Sequence, residues 1–255
     1  SAVFRYMVRL NKDKSIGNVI FIVEGKRKEP QIIRNIFEKV LGYNIYQYNK
    51  NEDIIKLKKD KNNYDKVVII TNNKPQLSCV LNETEFIQKA FETLRKNNLD
   101  VYDSAIYYIF DRDFESNSSH VITKLMNRFN NSRESVDFEM HGLLLMSYPC
   151  VESLHFNCNN DDCEFSSSEE IKKYSNIKKY NHISEERIVK GAEKLIEILD
   201  KKFSIKLIDS DFDDFKTVNK DILKIEDEYY LNNNVFITLS LVLISLFDLN
   251  ILELE

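Results

Sequence analysis

Three uninterrupted apolar runs stand out along the chain, and each is long enough for a strand covered on both faces. They occupy residues 19–23 (VIFIV), 104–110 (SAIYYIF) and 142–147 (GLLLMS). Continuous apolar runs of this length are typical of central strands in parallel sheets. Amphipathic helical patterns follow the first two runs, over residues 29–41 and 120–129. Because strands alternate with helices, the pattern predicts an α/β domain with a parallel or mostly parallel sheet flanked by helices.

Weaker patterns fill the intervals between these elements. The sequence predicts short strands at residues 44–48 and 66–71, a lysine-rich helix at 52–61 between them, and an amphipathic helix at 83–96.

The pattern of polar and apolar residues changes after about residue 157. A polar loop occupies residues 157–168, and helical patterns follow at 169–180, 185–200, 213–223 and, as a buried helix, 235–247. A short strand is possible at 204–208. We therefore expect an α/β domain over residues 1–157 and a mainly helical C-terminal extension over residues 158–255.

The amino-acid composition excludes some classes of protein and of binding site. The chain has 255 residues, of which 43% are hydrophobic and 30% charged, a balance that suits a packed core and excludes a disordered chain. Its five glycines, at positions 17, 25, 42, 142 and 191, fit neither a glycine-rich phosphate loop nor a dinucleotide fingerprint. Nucleotide binding by either glycine-rich route is therefore excluded.

Charge and cysteine usage suggest partners and location. The net charge is −5, but residues 1–125 carry 21 basic and 16 acidic side chains, so the acidic excess lies in the C-terminal half. A phosphate-facing surface is therefore expected in the first half. Four cysteines are too few for a disulfide framework, no signal peptide is visible, and the apolar run at 235–247 is too short to span a bilayer. We expect a cytoplasmic protein that does not interact with membranes.

Carboxylates follow two of the apolar strands. Glu24 comes directly after the first, and Asp111 and Asp113 come after the second. The carboxyl ends of parallel strands meet at one edge of a sheet, where α/β proteins bind ligands. Carboxylates gathered there repel one another unless a cation neutralises them, and oxygen ligands suit Mg²⁺ or Mn²⁺. The sequence thus predicts a site for one or two such ions.

Three short segments carry a resemblance to a known family. Residues 24–30 (EGKRKEP), 111–113 (DRD) and 148–156 (YPCVESLHF) resemble the motifs of Toprim-domain proteins, and more narrowly those of the RloB group and the second component of AbiL-type abortive-infection systems. The chain departs from that pattern at Lys28, where threonine is usual, and at Tyr148 and Val151, which replace Asn and Phe. Residues 65–82 look like an insertion.

The resemblance implies roles for individual residues. Glu24 would act as general acid/base or bridge to a metal ion, and Asp111 and Asp113 would be the principal ligands. Glu152 would complete the site or hold a second cation, although a carboxylate there also suits a helix N-terminus. Lys26 and Arg112 would contact phosphate.

The resemblance also implies an activity. It suggests a Mg²⁺- or Mn²⁺-dependent nuclease acting on DNA or RNA, in bacterial anti-phage or abortive-infection defence, with a separately encoded ATPase as partner. Two alternatives stay open. One is a catalytically silent regulatory or docking subunit of an ATPase complex, and the other is a Toprim-type nucleotidyl- or phosphotransfer enzyme.

Two weaker patterns also stay open. His155, Cys158 and Cys163 offer nitrogen and sulfur ligands that could bind zinc, although their spacing matches no common zinc motif. The lysines at 56, 58, 59, 61 and 66 form either a solvated face or part of a nucleic-acid footprint.

Overall fold

The chain forms a mixed β-sheet flanked by helices. The computed structural model describes residues 6–25, 27–49, 54–60, 62–71, 88, 92, 94–116, 118–133, 142–175 and 180–255. The first part of the chain contains, in order, β1 (Val8–Leu10), β2 (Asn18–Val23), α1 (Lys28–Asn35) continuing as a π-helix (Ile36–Val40), β3 (Tyr43–Asn49), β4 (Ile54–Lys59), β5 (Asn62–Thr71), β6 (Ser104–Asp111), α2 (Ser119–Arg128), β7 (Asn130–Asn131) and β8 (Gly142–Tyr148).

The second part is richer in helix. It contains α3 (Ser153–Cys158), β9 (Glu164–Phe165), α4 (Ser168–Ser175), α5 (Glu185–Phe203), 3₁₀ turns at Leu207–Asp209 and Phe212–Asp214, α6 (Lys216–Asn233), β10 (Phe236–Ile237), β11 (Leu239–Ser240), α7 (Val242–Asp248) and β12 (Leu252–Leu254).

The main sheet has a parallel centre and antiparallel margins. Its strand order is β11-β8-β6-β2-β5-β4-β3, and β7 pairs with β8 outside this path. The pairs β6–β8, β2–β6 and β2–β5 are parallel, whereas β4, β3, β7 and β11 pair antiparallel with their neighbours. Every residue of β8 is buried, as are residues 19–23 of β2 and 104–110 of β6, because the central strands are covered on both faces. The prediction of an α/β sheet with parallel core strands and flanking helices is confirmed.

The segment predicted as a lysine-rich helix at 52–61 is instead strand β4 over its described residues. Leu57 is buried between the half-exposed Lys56 and Lys58, which is the two-residue alternation of a strand covered mainly on one face. Its neighbour β5 includes residues 66–71, so this part of the supposed insertion at 65–82 belongs to the sheet. Of the helix predicted at 83–96, only residues 88, 92 and 94–96 are described, and these are helical.

The apolar run at 235–247 is not one buried helix. Its first half forms β10 and β11, and only Val242–Asp248 is helical. The backbone of β11 pairs with β8, which would otherwise be an open sheet edge. The possible strand at 204–208 is also wrong, because Ser204 takes a left-handed conformation (φ 57°) that ends α5 and a 3₁₀ turn follows.

The C-terminal residues complete the structure begun by the N-terminal ones. Strand β11 extends the main sheet, β12 pairs antiparallel with β1, and β10 pairs with β9. Ser184 caps the N-terminus of helix α5, because its side chain accepts a hydrogen bond from the Arg187 backbone N–H. The region after residue 157 is therefore mainly helical, as predicted, but it also contributes strands to the sheets of the first region.

Candidate metal centre

Strand register brings the predicted carboxylates to one edge of the sheet. Val23 of β2 lies opposite Ile109 of β6, and Asp111 lies opposite Ser147 of β8. Glu24 therefore leaves the sheet beside the last residues of β6, and the turn after β8 leaves it beside Asp111. We call this side the carboxyl edge of the sheet, and the side where the parallel strands begin the amino edge.

Three side chains converge at the carboxyl edge. One ligand atom each from Asp111, Cys150 and Glu152 lie within 4.8 Å of one another, a spacing compatible with a single bound cation. The turn is fixed to the strand end because the Val151 backbone N–H donates a 2.8 Å hydrogen bond to Asp111 Oδ1. We call Asp111, Cys150 and Glu152 the acidic centre.

Glu152 is the most unusual member of this centre. Its side chain is only 1% exposed, and neither carboxylate oxygen accepts a hydrogen bond in the described part of the chain. In the described part of the chain, the Lys28 ammonium group lies at ion-pair distance, with its Nζ 3.6 Å from Glu152 Oε1. Burial of a carboxylate without hydrogen-bond donors costs free energy of folding, and such groups are concentrated at functional sites.

Carboxylates crowd the acidic centre. Burial, followed by the charges of Glu29, Glu152 and Glu24, raises the pKa of Asp111 well above its ordinary value. Burial also raises the pKa of Glu29, with a further contribution from Glu152. The carboxylate end of Glu29 lies over Gly25, where an added Cβ would come within 2.0 Å of a carboxylate oxygen. The arrangement favours the uptake of protons or of a cation.

Two further basic side chains, besides Lys28, adjoin the centre. Burial disfavours the charge on Lys172, but Glu152, Cys150, Asp111 and Glu29 together outweigh that effect and raise its pKa. Lys172 belongs to α4, so the C-terminal region contributes charge to the site. His155 behaves oppositely, because burial lowers its pKa to about 4 and keeps the imidazole neutral near pH 7.

Glu152 lines a small pocket of about 230 Å³ together with Lys28 and His155, whereas Asp111 lines a cleft of about 710 Å³, a size common for ligand sites. Glu24, Glu29, Asp111 and Asp113 line one part of it, and residues 166–169, Tyr230 and Asn234 of the C-terminal region line another. A larger groove of about 1340 Å³ runs along α5. Exposed side chains paired with each other, such as Lys190 with Glu186 and Lys201 with Glu197, contribute to its wall, so we place the chemistry in the smaller cleft.

Asp113 and Arg112 have different positions from Asp111. The exposed Asp113 carboxylate accepts hydrogen bonds from the Glu115 backbone N–H and the Ser116 hydroxyl group, as in a turn, and it is not one of the three converging ligands. Arg112 is 1% exposed and donates to Asp227 Oδ1 at 2.9 Å and to Ser119 Oγ at 3.1 Å. These hydrogen bonds engage the Arg112 guanidinium group inside the protein, although Arg112 also lines the cleft, and its contact with phosphate stays a prediction. Lys26 lies outside the described residues.

The zinc ligands predicted at residues 155–163 do not converge, whereas the choice between a solvated face and a nucleic-acid footprint for the lysine cluster stays a prediction. Among the described residues, the acidic centre is the only group of three potential ligands that converge, so His155, Cys158 and Cys163 do not form a zinc site. Cys158 is buried beside Gly191 and Leu243, and burial raises its pKa to about 12. In the strand register, Lys58 of β4 lies opposite Lys66 of β5 at the amino edge. This edge is on the opposite side of the sheet from the acidic centre.

Sequence reasoning missed Cys150, Glu29 and Lys172 as members of the site. Cys150 and Glu29 fall within the recognised segments, so their proximity to Glu152 and Glu24 in the sequence was a usable signal. Lys172 has no such signal, because it reaches the site from a helix that follows the polar loop.

No helix of the described residues combines the length and apolar character needed to cross a bilayer. Comparison with protein-family models, curated proteins and solved structures finds no match to this chain.

Proposed function

We propose that this chain is a divalent-metal-dependent nuclease that hydrolyses phosphodiester bonds in DNA or RNA. The observation that carries the proposal is the acidic centre, whose buried Glu152 carboxylate accepts no hydrogen bond from a described residue and whose Asp111 lines the cleft. The resemblance of residues 24–30, 111–113 and 148–156 to Toprim-domain proteins of the RloB group supports the same activity.

The donor set fits a divalent cation. Asp111 and Glu152 supply oxygen ligands and Glu29 adds negative charge nearby, a combination suited to Mg²⁺ or Mn²⁺. When bound, the cation supplies Lewis-acid stabilisation of the charge that develops on the phosphate.

The residues of the chain supply the remaining functions. Glu24 lines the cleft beside Asp111 and accepts the proton of the attacking water as that water bonds to phosphorus. The bond from phosphorus to the leaving oxygen then breaks, and the leaving oxygen takes up a proton from solvent water. Lys172 places a positive charge beside the site, where it attracts the phosphate backbone.

The biological setting follows from the resemblance alone. It supports a role in bacterial anti-phage or abortive-infection defence together with a separately encoded ATPase. Such a partner would also provide the ATP site for which this chain lacks a glycine-rich loop.

The test is cleavage of single- and double-stranded DNA and RNA by the full chain, with Mg²⁺ or Mn²⁺ and with EDTA. We expect cation-dependent cleavage that Asp111→Asn reduces by roughly 100-fold or more, since it removes a charge used to stabilise the transition state. Asp60→Asn, an exposed carboxylate at the amino edge that contacts Asn44, is the matched control and should cleave normally.

Retention of full cation-dependent cleavage by Asp111→Asn would refute this site assignment. If the wild-type chain binds Mn²⁺ but cleaves none of the four substrates, the nuclease proposal fails and a docking subunit becomes the better explanation.

A further inference from the structure

Cys150 has two different sides. On one side it packs with Phe156, Phe165 and Ile171 in a small apolar cluster. On the other side its sulfur lies within 4.8 Å of ligand oxygens of Asp111 and Glu152. An ordinary buried cysteine behaves as a small apolar side chain, so a thiol that faces two carboxylates requires another explanation.

Nucleophilic chemistry does not explain Cys150. Burial, followed by the charges of Asp111 and Glu152, raises the pKa of its thiol well above the ordinary value, which is the opposite of the activation that a cysteine nucleophile requires. The side chain is also fully buried.

Metal ligation explains the side of Cys150 that faces the carboxylates. A bound cation favours the thiolate over the thiol and offsets the repulsion from neighbouring carboxylates. The Glu152 carboxylate provides independent support, because it is 1% exposed and accepts no hydrogen bond from a described residue, and a bound cation would stabilise its charge beyond the Lys28 ammonium group 3.6 Å away. The position of the thiol and the environment of Glu152 are separate observations. Neither of them requires that Cys150 stabilises the fold.

We propose that Cys150 is a direct ligand of the cation, together with Asp111 and Glu152, and that the centre prefers thiophilic divalent cations such as Zn²⁺ and Co²⁺ over Mg²⁺. The inference rests on the metal centre of the proposed function and specifies its chemistry. A sulfur donor contributes little to Mg²⁺ binding, because Mg²⁺ selects oxygen ligands, whereas Zn²⁺ and Co²⁺ accept mixed oxygen and sulfur sets.

The experiment measures binding of Co²⁺, Zn²⁺, Mn²⁺ and Mg²⁺ to the full chain by calorimetry, and records the absorption spectrum of the Co²⁺ complex. Thiolate bound to Co²⁺ gives a charge-transfer band that oxygen ligands do not give. Cys150→Ser replaces the sulfur with oxygen at nearly constant shape. Cys158→Ser and Cys163→Ser are matched controls, because neither cysteine belongs to the acidic centre.

We expect the wild-type chain to bind Zn²⁺ and Co²⁺ at least about tenfold more tightly than Mg²⁺, with a charge-transfer band in the Co²⁺ complex. Cys150→Ser should lose both the band and the preference while it still binds Mn²⁺, and both control variants should keep them.

A wild-type Co²⁺ complex without the band overturns the proposal, whether or not the serine variant folds. A band that persists in a folded Cys150→Ser protein overturns it as well. In either case cation-dependent cleavage would leave the proposed nuclease function standing, whereas the absence of both cation binding and cleavage would overturn both proposals.

Discussion

The two edges of the parallel sheet bury carboxylates in opposite ways. At the amino edge, Asp65 is 2% exposed, and its Oδ1 accepts hydrogen bonds from Ser15 Oγ at 2.8 Å and from the backbone N–H groups of Ile16 and Gly17 at 2.9 Å. At the carboxyl edge, Glu152 is equally buried but accepts no hydrogen bond from a described residue.

The difference separates a carboxylate with a structural role from one in the candidate metal centre. Asp65 fastens the loop that leads into β2, and its burial is balanced by its donors. Glu152 lies where other acidic groups accumulate, accepts no hydrogen bond from a described residue, and has the Lys28 ammonium group 3.6 Å away as a nearby opposite charge. Burial alone therefore does not distinguish a functional carboxylate, whereas the count of hydrogen-bond donors does.

Removal of the amino-edge carboxylate gives the largest expected effect on stability. Asp65→Ala leaves the backbone N–H groups of Ile16 and Gly17 without their acceptor, so we expect the free energy of unfolding to fall by about 3 kcal/mol. Urea denaturation followed by circular dichroism measures the change. The control Asp60→Ala, at an exposed carboxylate of the same edge, should stay within about 0.5 kcal/mol of wild type. A similar small change for Asp65→Ala would remove the contrast between the edges.

Cation binding should act at the other edge. Mn²⁺ at about 100 times its dissociation constant should raise the free energy of unfolding by about 2.7 kcal/mol, because the folded acidic centre binds it and the unfolded chain does not. Thermal unfolding with Mn²⁺ and with EDTA measures this difference. Asp65→Asn should show the same increase as wild type, and Glu152→Gln a much smaller one. An equal increase in Glu152→Gln would place the cation elsewhere.

The fold could be predicted from the sequence where local pattern decides structure. The runs at 19–23, 104–110 and 142–147 are apolar on both faces, which leaves a central strand as the simplest solution. Prediction failed at 52–61 and 235–247, where pairing with a neighbour decides. Strand β4 forms between β3 and β5, and β11 forms because β8 offers an open edge, and neither partner is visible in the local sequence.

The candidate site was predictable only in part. Glu24 directly follows β2, Asp111 ends β6, and Glu152 lies in the turn after β8. Their proximity therefore follows from the parallel topology of these strands. The hydrogen bond between Arg112 and Asp227 joins positions 115 residues apart, and no sequence pattern predicts it. Long-range packing thus assigned Arg112 to the interior and Lys172 to the site.

The smallest expected effect concerns Asp111 without a cation. Its pKa is raised in the folded protein by burial and then by Glu29, Glu152 and Glu24, so the folded state holds this proton more tightly than the unfolded chain does. The corresponding stability is fully present below the ordinary carboxyl pKa of about 4 and is lost as pH rises toward the folded-state value. Asp111→Asn has no such proton to lose, and its amide oxygen can still accept the Val151 N–H.

In EDTA, Asp111→Asn should therefore be more stable than wild type by on the order of 1 kcal/mol near neutral pH, and the difference should shrink toward zero as the pH falls to about 4. Urea denaturation across this range measures the difference, with Asp60→Asn as a control whose difference from wild type stays small throughout. A stabilisation by Asp111→Asn that does not vary with pH would mean that the Asp111 carboxylate is not crowded by its neighbours. The carboxyl edge would then resemble the amino edge, and the argument for a cation there would lose its electrostatic basis.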